Sequence, residues 1–377
     1  MKYYLIVGEA SGDLHASSLM RELKALDGQA VFRCWGGDLM KAAGGELVRH
    51  YRDLSFMGFA EVLANIRTIL KNFSLCREDL LQYHPDVVIL VDYPGFNLRM
   101  ARFAHKHGFR VFYYVSPQVW AWKQSRVRKI KKYVEHMFVI LPFEKDFYKA
   151  HDVEVDFVGH PLLDVVAEAM EKSGSDFIKE SGPGDRPVIA LLPGSRRQEV
   201  QRILPLMLSV EVDFPGYCFV IAGAPSLPPA FYEEVAGGRK ISLVHNHTHD
   251  LLRHAKAALV TSGTATLETA LFEVPQVVCY RGGKLSYQIA RRLVKVKYIS
   301  LVNLIMDRPV VTELIQDDLN TKNISSALQK IVGDEEIRAR MHRDYAELKQ
   351  RLGNRGASAR AAALMTAYLG KHGGQDA

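Results

Sequence analysis

Cysteine is scarce in this 377-residue chain: Cys34, Cys76, Cys218 and Cys279 lie far apart, with no CxxC pair. That spacing indicates neither a zinc site nor a disulfide framework, and a reducing, cytoplasmic setting fits best. Nowhere do about 18 apolar residues run together. The N-terminus passes from Lys2 into a short strand-like run without an apolar signal segment. The chain is therefore expected neither to span a membrane nor to enter a secretion route by that means. Repeats and low-complexity tracts are also missing. With 48% hydrophobic and 24% charged residues, the composition excludes a disordered chain. Acidic residues are in deficit, 42 against 49 basic ones, and the formal charge of +7 favours an anionic partner. Charge alone does not choose between a nucleotide, a phospholipid surface and nucleic acid.

What is present is a double alternation of short apolar runs and helical patterns. Strands are expected at 3–7, 31–35, 87–91, 111–115 and 137–140, and again at 188–192, 218–222, 241–245, 257–260 and 276–280. Val- and Ile-rich runs of this length suit parallel strands buried on both faces. Between the halves lies KSGSDFIKESGPGDR, polar and broken by Gly and Pro. The expected plan is α/β, with two doubly wound Rossmann-like domains: 1–170, a linker at 171–186, 187–350, and a helical, polar tail at 351–377 packing back across the junction.

Open sheets of this kind bind ligands beyond the carboxyl ends of their strands. The GxGxxG dinucleotide fingerprint is absent there, which disfavours hydride transfer. The first such loop is GEASGD, with Glu9, Ser11, Gly12 and Asp13. Another presents Asp92, either a general base or the cap of a turn. The aromatic SPQVWAW, with Trp120 and Trp122, suits a platform for a sugar or acyl chain, or interdomain packing. In the second half, Gly194, Ser195 and Arg196 open a helix with backbone donors and a guanidinium fork for phosphate. Ser262, Gly263 and Thr264 form a second strand–turn–helix that either grips a phosphate or merely caps its helix. Glu268, about one turn further in, could accept from a ribose diol. The stretch around Asn303, with Glu313 and Gln316, is expected as a loop and helix.

GEASGD (8–13), LSFMGFAEVL (54–63), VSPQVWAW (115–122), LPFEKDFY (141–148), GHP (159–161), LPGSR (192–196), SGTATLE (262–268) and RLVKVKYISLVNL (292–304) together resemble the lipid-A-disaccharide synthases. These are glycosyltransferases of the GT-B architecture, two domains facing a central cleft. The resemblance implies transfer of 2,3-diacylglucosamine from UDP-2,3-diacylglucosamine to 2,3-diacylglucosamine 1-phosphate, giving a β-1,6 disaccharide phosphate and UDP. It further implies an inverting mechanism with Asp92 as base, His160 as substitute and Glu9 in reach. UDP would lie on Gly194, Ser195, Arg196, Ser262, Gly263, Thr264 and Glu268. Sugar contacts would come from Ser11, Gly12, Asp13 and Asn303. No cofactor and no metal is implied, because arginine and helix dipoles can offset the leaving group's charge.

Lipid substrates call for a greasy surface. Phe56, Met57, Phe59, Val62, Leu63 and Ile66 form a wide apolar arc with Arg67 and Lys71 beside it, as in an interfacial helix on anionic lipid. The expected place is thus cytoplasmic and peripheral, on the inner face of the inner membrane; a homo-oligomer stays open. No recognisable nucleic-acid module accompanies the basic residues. The rivals are a non-hydrolysing UDP-sugar 2-epimerase, which keeps the nucleotide attached, and a non-catalytic nucleotide binder or membrane scaffold. Replacing Phe56, Phe59 and Leu63 together with Ser is predicted to weaken binding to anionic vesicles in flotation assays while leaving the circular dichroism spectrum unchanged; undiminished flotation of the folded variant removes the docking surface.

Overall fold

The computed structural model describes residues 1–53, 66–121, 124–171, 186–283 and 296–370. The chain divides into two compact units, Met1–Pro161 with Leu352–Ala377, and Leu162–Arg351. The first unit ends ahead of the linker placed at 171–186, because the Leu162–Glu171 helix packs on helices of the second unit.

In the first unit, β1 (Lys2–Ile6), β2 (Val31–Gly36), β3 (Gly45–His50), β4 (Val87–Val91), β5 (Arg110–Tyr114), β6 (His136–Val139) and β7 (Asp156–Phe157) form one parallel sheet ordered β3-β2-β1-β4-β5-β6-β7. β4 reads VVILV and is buried at every position, as a central strand covered by helices on both faces must be. β3 and β7 escaped the sequence reading. They are the outer strands, with no fully buried position, so neither carries an apolar run.

The second unit repeats the plan with β8 (Val188–Leu192), β9 (Cys218–Gly223), β10 (Ser242–His245), β11 (Ala255–Thr261), β12 (Gln276–Tyr280) and β13 (Thr312–Ile315), ordered β10-β9-β8-β11-β12-β13. The Arg197–Leu208 helix shows how such a layer is written: Val200, Ile203, Leu204, Met207 and Leu208 recur at helical spacing and are all buried. Around Asn303 the expected loop is instead the Leu301–Met306 helix, and Glu313 sits on the outer strand β13.

The C-terminal part of the chain, from Glu335, holds two helices. Its first helix, Glu335–Arg351, is polar. Its last, Ala357–Gly370, buries Ala357, Ser358, Ala361, Ala362, Met365 and Leu369 and packs on the Ala10–Leu26 helix of the first unit. Small side chains allow that close approach. Arg360 then donates through Nε to the Val158 carbonyl at 2.9 Å, and the His160 N–H donates to Leu352 O at 3.1 Å. The Tyr368 ring stacks on His136.

One buried polar network ties the first unit together. Trp35 Nε1 donates to Tyr4 Oη at 2.8 Å, and Tyr4 Oη donates to Asp79 Oδ2 at 2.7 Å. Arg33 completes the set through Nη2 at 2.6 Å and Nε at 2.9 Å to Asp79 Oδ1, tying β2 to the Ile66–Tyr83 helix. Removing the carboxylate leaves a buried hydroxyl without its acceptor and a largely buried guanidinium with only Glu46, at 2.6 Å from Nη1. Asp79→Ala should therefore lower unfolding stability by roughly 3 kcal/mol in urea titrations; a loss within about 0.5 kcal/mol, typical of a neutral surface change, would show that the network carries no weight.

Candidate active site

In each sheet the strand order reverses beside the first strand, and ligands bind at the carboxyl ends flanking that reversal. In the first unit the flanking strands are β1 and β4, in register with Ile6 opposite Leu90. The loops that follow carry Gly8-Glu9 and Asp92-Tyr93. A Cβ on Gly8 would lie 2.3 Å from Tyr93 Cγ, so only glycine lets the loops approach.

Asp92 and Tyr93 both adopt left-handed backbone, φ +44° and +47°, which swings the chain from β4 into the Pro94–Lys106 helix with Pro94 at its first turn. Nearby Val115, at φ +60°, is an unusual conformation for a β-branched residue. The strain is held by hydrogen bonds. The Asp92 N–H donates to Val115 O at 3.2 Å, and the Asp92 carbonyl accepts from Asn97 Nδ2 at 2.8 Å and from the Tyr113 hydroxyl. Asn97, fully buried, also donates to Ile6 O and Val91 O, stitching both strand ends. With its backbone pinned, Asp92 is half-buried beside Glu9. Burial first, and the Glu9 charge second, push its carboxyl up from 3.8 to about 7.

His160 has a different environment. It is 2% exposed, and burial together with neighbouring His15 pushes its imidazole down to about 3. Asp13 is held differently again. It is buried, and its carboxylate accepts from the N–H groups of Gly37 at 2.8 Å, Leu39 at 3.1 Å and Met40 at 3.2 Å, capping the Asp38–Ala42 helix. Asp13 thereby anchors the start of that helix. Ser11 lies exposed and Gly12 buried in the first turns of the Ala10–Leu26 helix, Gly12 against Val7. Trp120 packs edge-on against Phe143 within the unit, while Trp122 lies outside the described residues.

In the second unit the flanking strands are β8 and β11, with Val260 opposite Leu192. Two glycine turns follow side by side, Gly194 at φ +108° and Gly263 at φ +152°. Each precedes a helix, Arg197–Leu208 and Thr264–Leu271. Arg196 is half-exposed and donates through Nη1 to Glu199 at 3.3 Å. Arg197 instead lies 4.1 Å from the Phe231 ring centroid, a cation–π contact that accounts for one of the two arginines. Ser195 and Thr264 are exposed, and Ser262 donates through Oγ to Ile299 O at 2.9 Å. Glu268 accepts from His249 Nε2 at 2.6 Å. Nothing in the sequence spacing announced Asn97, Tyr113 or His249.

Asn303 is braced in a similar way. It is 1% exposed, and its amide donates to Val311 O and Glu313 Oε1, both at 2.9 Å, while accepting from the N–H groups of Val310 and Val311. Its polar atoms are engaged in bracing the 307–311 turn. Phe56, Met57, Phe59, Val62 and Leu63 lie outside the described residues; Ile66 opens its helix 44% exposed. Among the described residues no cluster of His, Cys, Asp and Glu is arranged to hold a metal ion. No described helix is long and apolar enough to cross a membrane.

A family model for lipid-A-disaccharide synthetase matches residues 3–367. The chain belongs to the lipid-A-disaccharide synthetase family. Lipid-A-disaccharide synthases of Trichlorobacter lovleyi and Geobacter sulfurreducens are 38% and 37% identical to it, each over 97% of both chains. Membership in the lipid-A-disaccharide synthetase family makes it a glycosyltransferase of lipid A biosynthesis. Among solved structures it is similar to CalG4, the calicheamicin glycosyltransferase, at TM-score 0.61 and 19% identity over 98% of both chains. It is also similar to UDP-GlcNAc 2-epimerase from Neisseria meningitidis bound to UDP-GlcNAc, at TM-score 0.68 and 14% identity over 98% of this chain and 100% of that one. At such identities these likenesses show the shared GT-B type of fold alone.

Because Asn303 joins four hydrogen bonds through its buried amide, Asn303→Ala should cost about 2–4 kcal/mol of stability. Urea unfolding checks this, and a variant as stable as the parent would show that these bonds carry no weight.

Proposed function

We propose that the chain transfers 2,3-diacylglucosamine from UDP-2,3-diacylglucosamine to the 6-hydroxyl of 2,3-diacylglucosamine 1-phosphate, releasing UDP. Asp92 takes the proton from that hydroxyl as its oxygen bonds to the anomeric carbon. The bond to the diphosphate breaks with its electron pair, and attack from the opposite face gives the β-1,6 product by inversion. The observation that carries this reading is a half-buried Asp92 whose carboxyl sits near neutrality at the strand reversal. A base poised near the working pH is present unprotonated yet still strong enough to accept a proton. His160, pushed to about 3, is too weak a base for the task.

The second unit supplies the UDP grip in this reading. Backbone donors at the Gly194–Arg196 and Gly263–Thr264 turns, the two helix starts and the Arg196 guanidinium stabilise charge on the departing diphosphate, and Glu268 accepts from the ribose. A peripheral position on an anionic membrane is supported by Ile66 and Leu70, 44% and 55% exposed, with exposed Arg67 and Lys71 between and after them.

Incubating the protein with both lipid substrates in detergent and excess EDTA should yield disaccharide phosphate and equal UDP by mass spectrometry. Product appearing only with magnesium would overturn the arginine-and-dipole account, and UDP-sugar isomerised without UDP release would overturn the transferase reading. Asp92→Asn should lower turnover on the order of 10²–10⁴-fold, and the parent's kcat/KM should fall below pH about 7 as Asp92 takes up a proton. Between 3.8 and about 7 the native state binds more protons here than the unfolded state, so this group's contribution to stability declines as pH rises through that window. Relative to the parent, Asp92→Asn should therefore gain thermal stability from pH 4 to pH 8; near-parental turnover would dismiss Asp92 as the base.

A further inference from the structure

The Thr248–His254 helix leads into β11 and the Thr264–Leu271 helix leaves it, so both begin at the carboxyl ends of the second sheet, and both pack on the Leu162–Glu171 helix. This brings together two side chains 19 residues apart: His249 Nε2 lies 2.6 Å from Glu268 Oε1. The His249 ring also rests against buried Phe272, 5.4 Å between centroids. A carboxylate only accepts, so Nε2 donates, and one hydrogen bond leaves the carboxylate ample capacity for a diol.

We propose that His249 is a positioning residue for the sugar nucleotide, holding the Glu268 carboxylate in the orientation that receives the ribose hydroxyls. The proposal rests on the reading of Glu268 as the ribose contact. The side chains are 34% and 20% exposed, and an ion pair open to solvent to that extent adds little to fold stability. Its effect lies in geometry. Glutamate is long and rotamer-rich, and immobilising such a side chain on binding weakens affinity unless it is already held. Phe272 on one side and the carboxylate on the other fix the imidazole, and the imidazole fixes the carboxylate.

Titration calorimetry of the full chain with UDP and with 2′,3′-dideoxy-UDP tests this. The parent should prefer UDP, and Glu268→Ala should abolish the preference. His249→Ala should weaken UDP binding about 3- to 10-fold while leaving dideoxy-UDP unchanged, and His249→Gln, which keeps a donor at the Nε2 position, should restore the preference. In turnover assays His249→Ala should raise donor KM with kcat retained. If Glu268→Ala abolishes the preference but His249→Ala does not touch it, the positioning role is overturned while the ribose reading stands. Equal weakening of both ligands in His249→Ala likewise overturns it, since His249 would then act elsewhere on the nucleotide. A preference that survives Glu268→Ala removes the ribose reading and the proposal together.

Discussion

The constraint on which everything else depends is that the central parallel strands have no face left for water. β4, β8 and the inner parts of their sheets are covered on both sides, so every residue along them is committed to packing. Chemistry is thereby confined to the loops at the carboxyl ends. Within those loops the order of strands decides where: helices cross to opposite faces on either side of a reversal, and the gap they leave is where a ligand fits. Asp92 and Glu9 occupy that position in the first unit, and the two glycine turns occupy it in the second.

Crowding at the Asp92 loop has an electrostatic result. Glycine at position 8, left-handed backbone at Asp92 and Tyr93, and the Asn97 amide together hold two carboxylates near one another in a partly desolvated place. Like charges and burial both oppose ionisation. The backbone strain and the raised carboxyl value therefore share one cause, since without the pinned turn the Asp92 side chain would relax toward solvent. Asn97 and Tyr113 hold the Asp92 backbone through its carbonyl, while burial and the Glu9 charge raise its carboxyl.

Central strands were legible because burial on both faces demands unbroken apolar runs; 87–91, 188–192 and 276–280 match β4, β8 and β12 end to end. Outer strands β3, β7 and β13 were not, since their composition reads as loop, whereas β10, also an outer strand, was expected at 241–245. The loops that matter stood out by their glycines and carboxylates. Whether a polar side chain there serves a ligand or the backbone did not. Asp13 and Asn303 read as sugar contacts in a motif, and the bonds they also make, to N–H groups and carbonyls that only the fold brings near, were invisible there. The His249–Glu268 pair was hidden for the opposite reason, being formed by two helices on either side of a strand.

The last helix completes the first unit, although it comes after the whole of the second. A chain emerging from the ribosome can thus assemble 162–351 as a continuous body, while the first sheet waits with the Ala10–Leu26 helix uncovered until Ala357–Gly370 arrives. The Val158 carbonyl and the His160 N–H lack their partners, Arg360 and Leu352, for the same interval. Order of synthesis and order of completion are therefore reversed: the unit that starts first is the one that closes last, and a ribosome that stops short of the final helix leaves the second unit finished and the first without the cover of its Ala10–Leu26 helix.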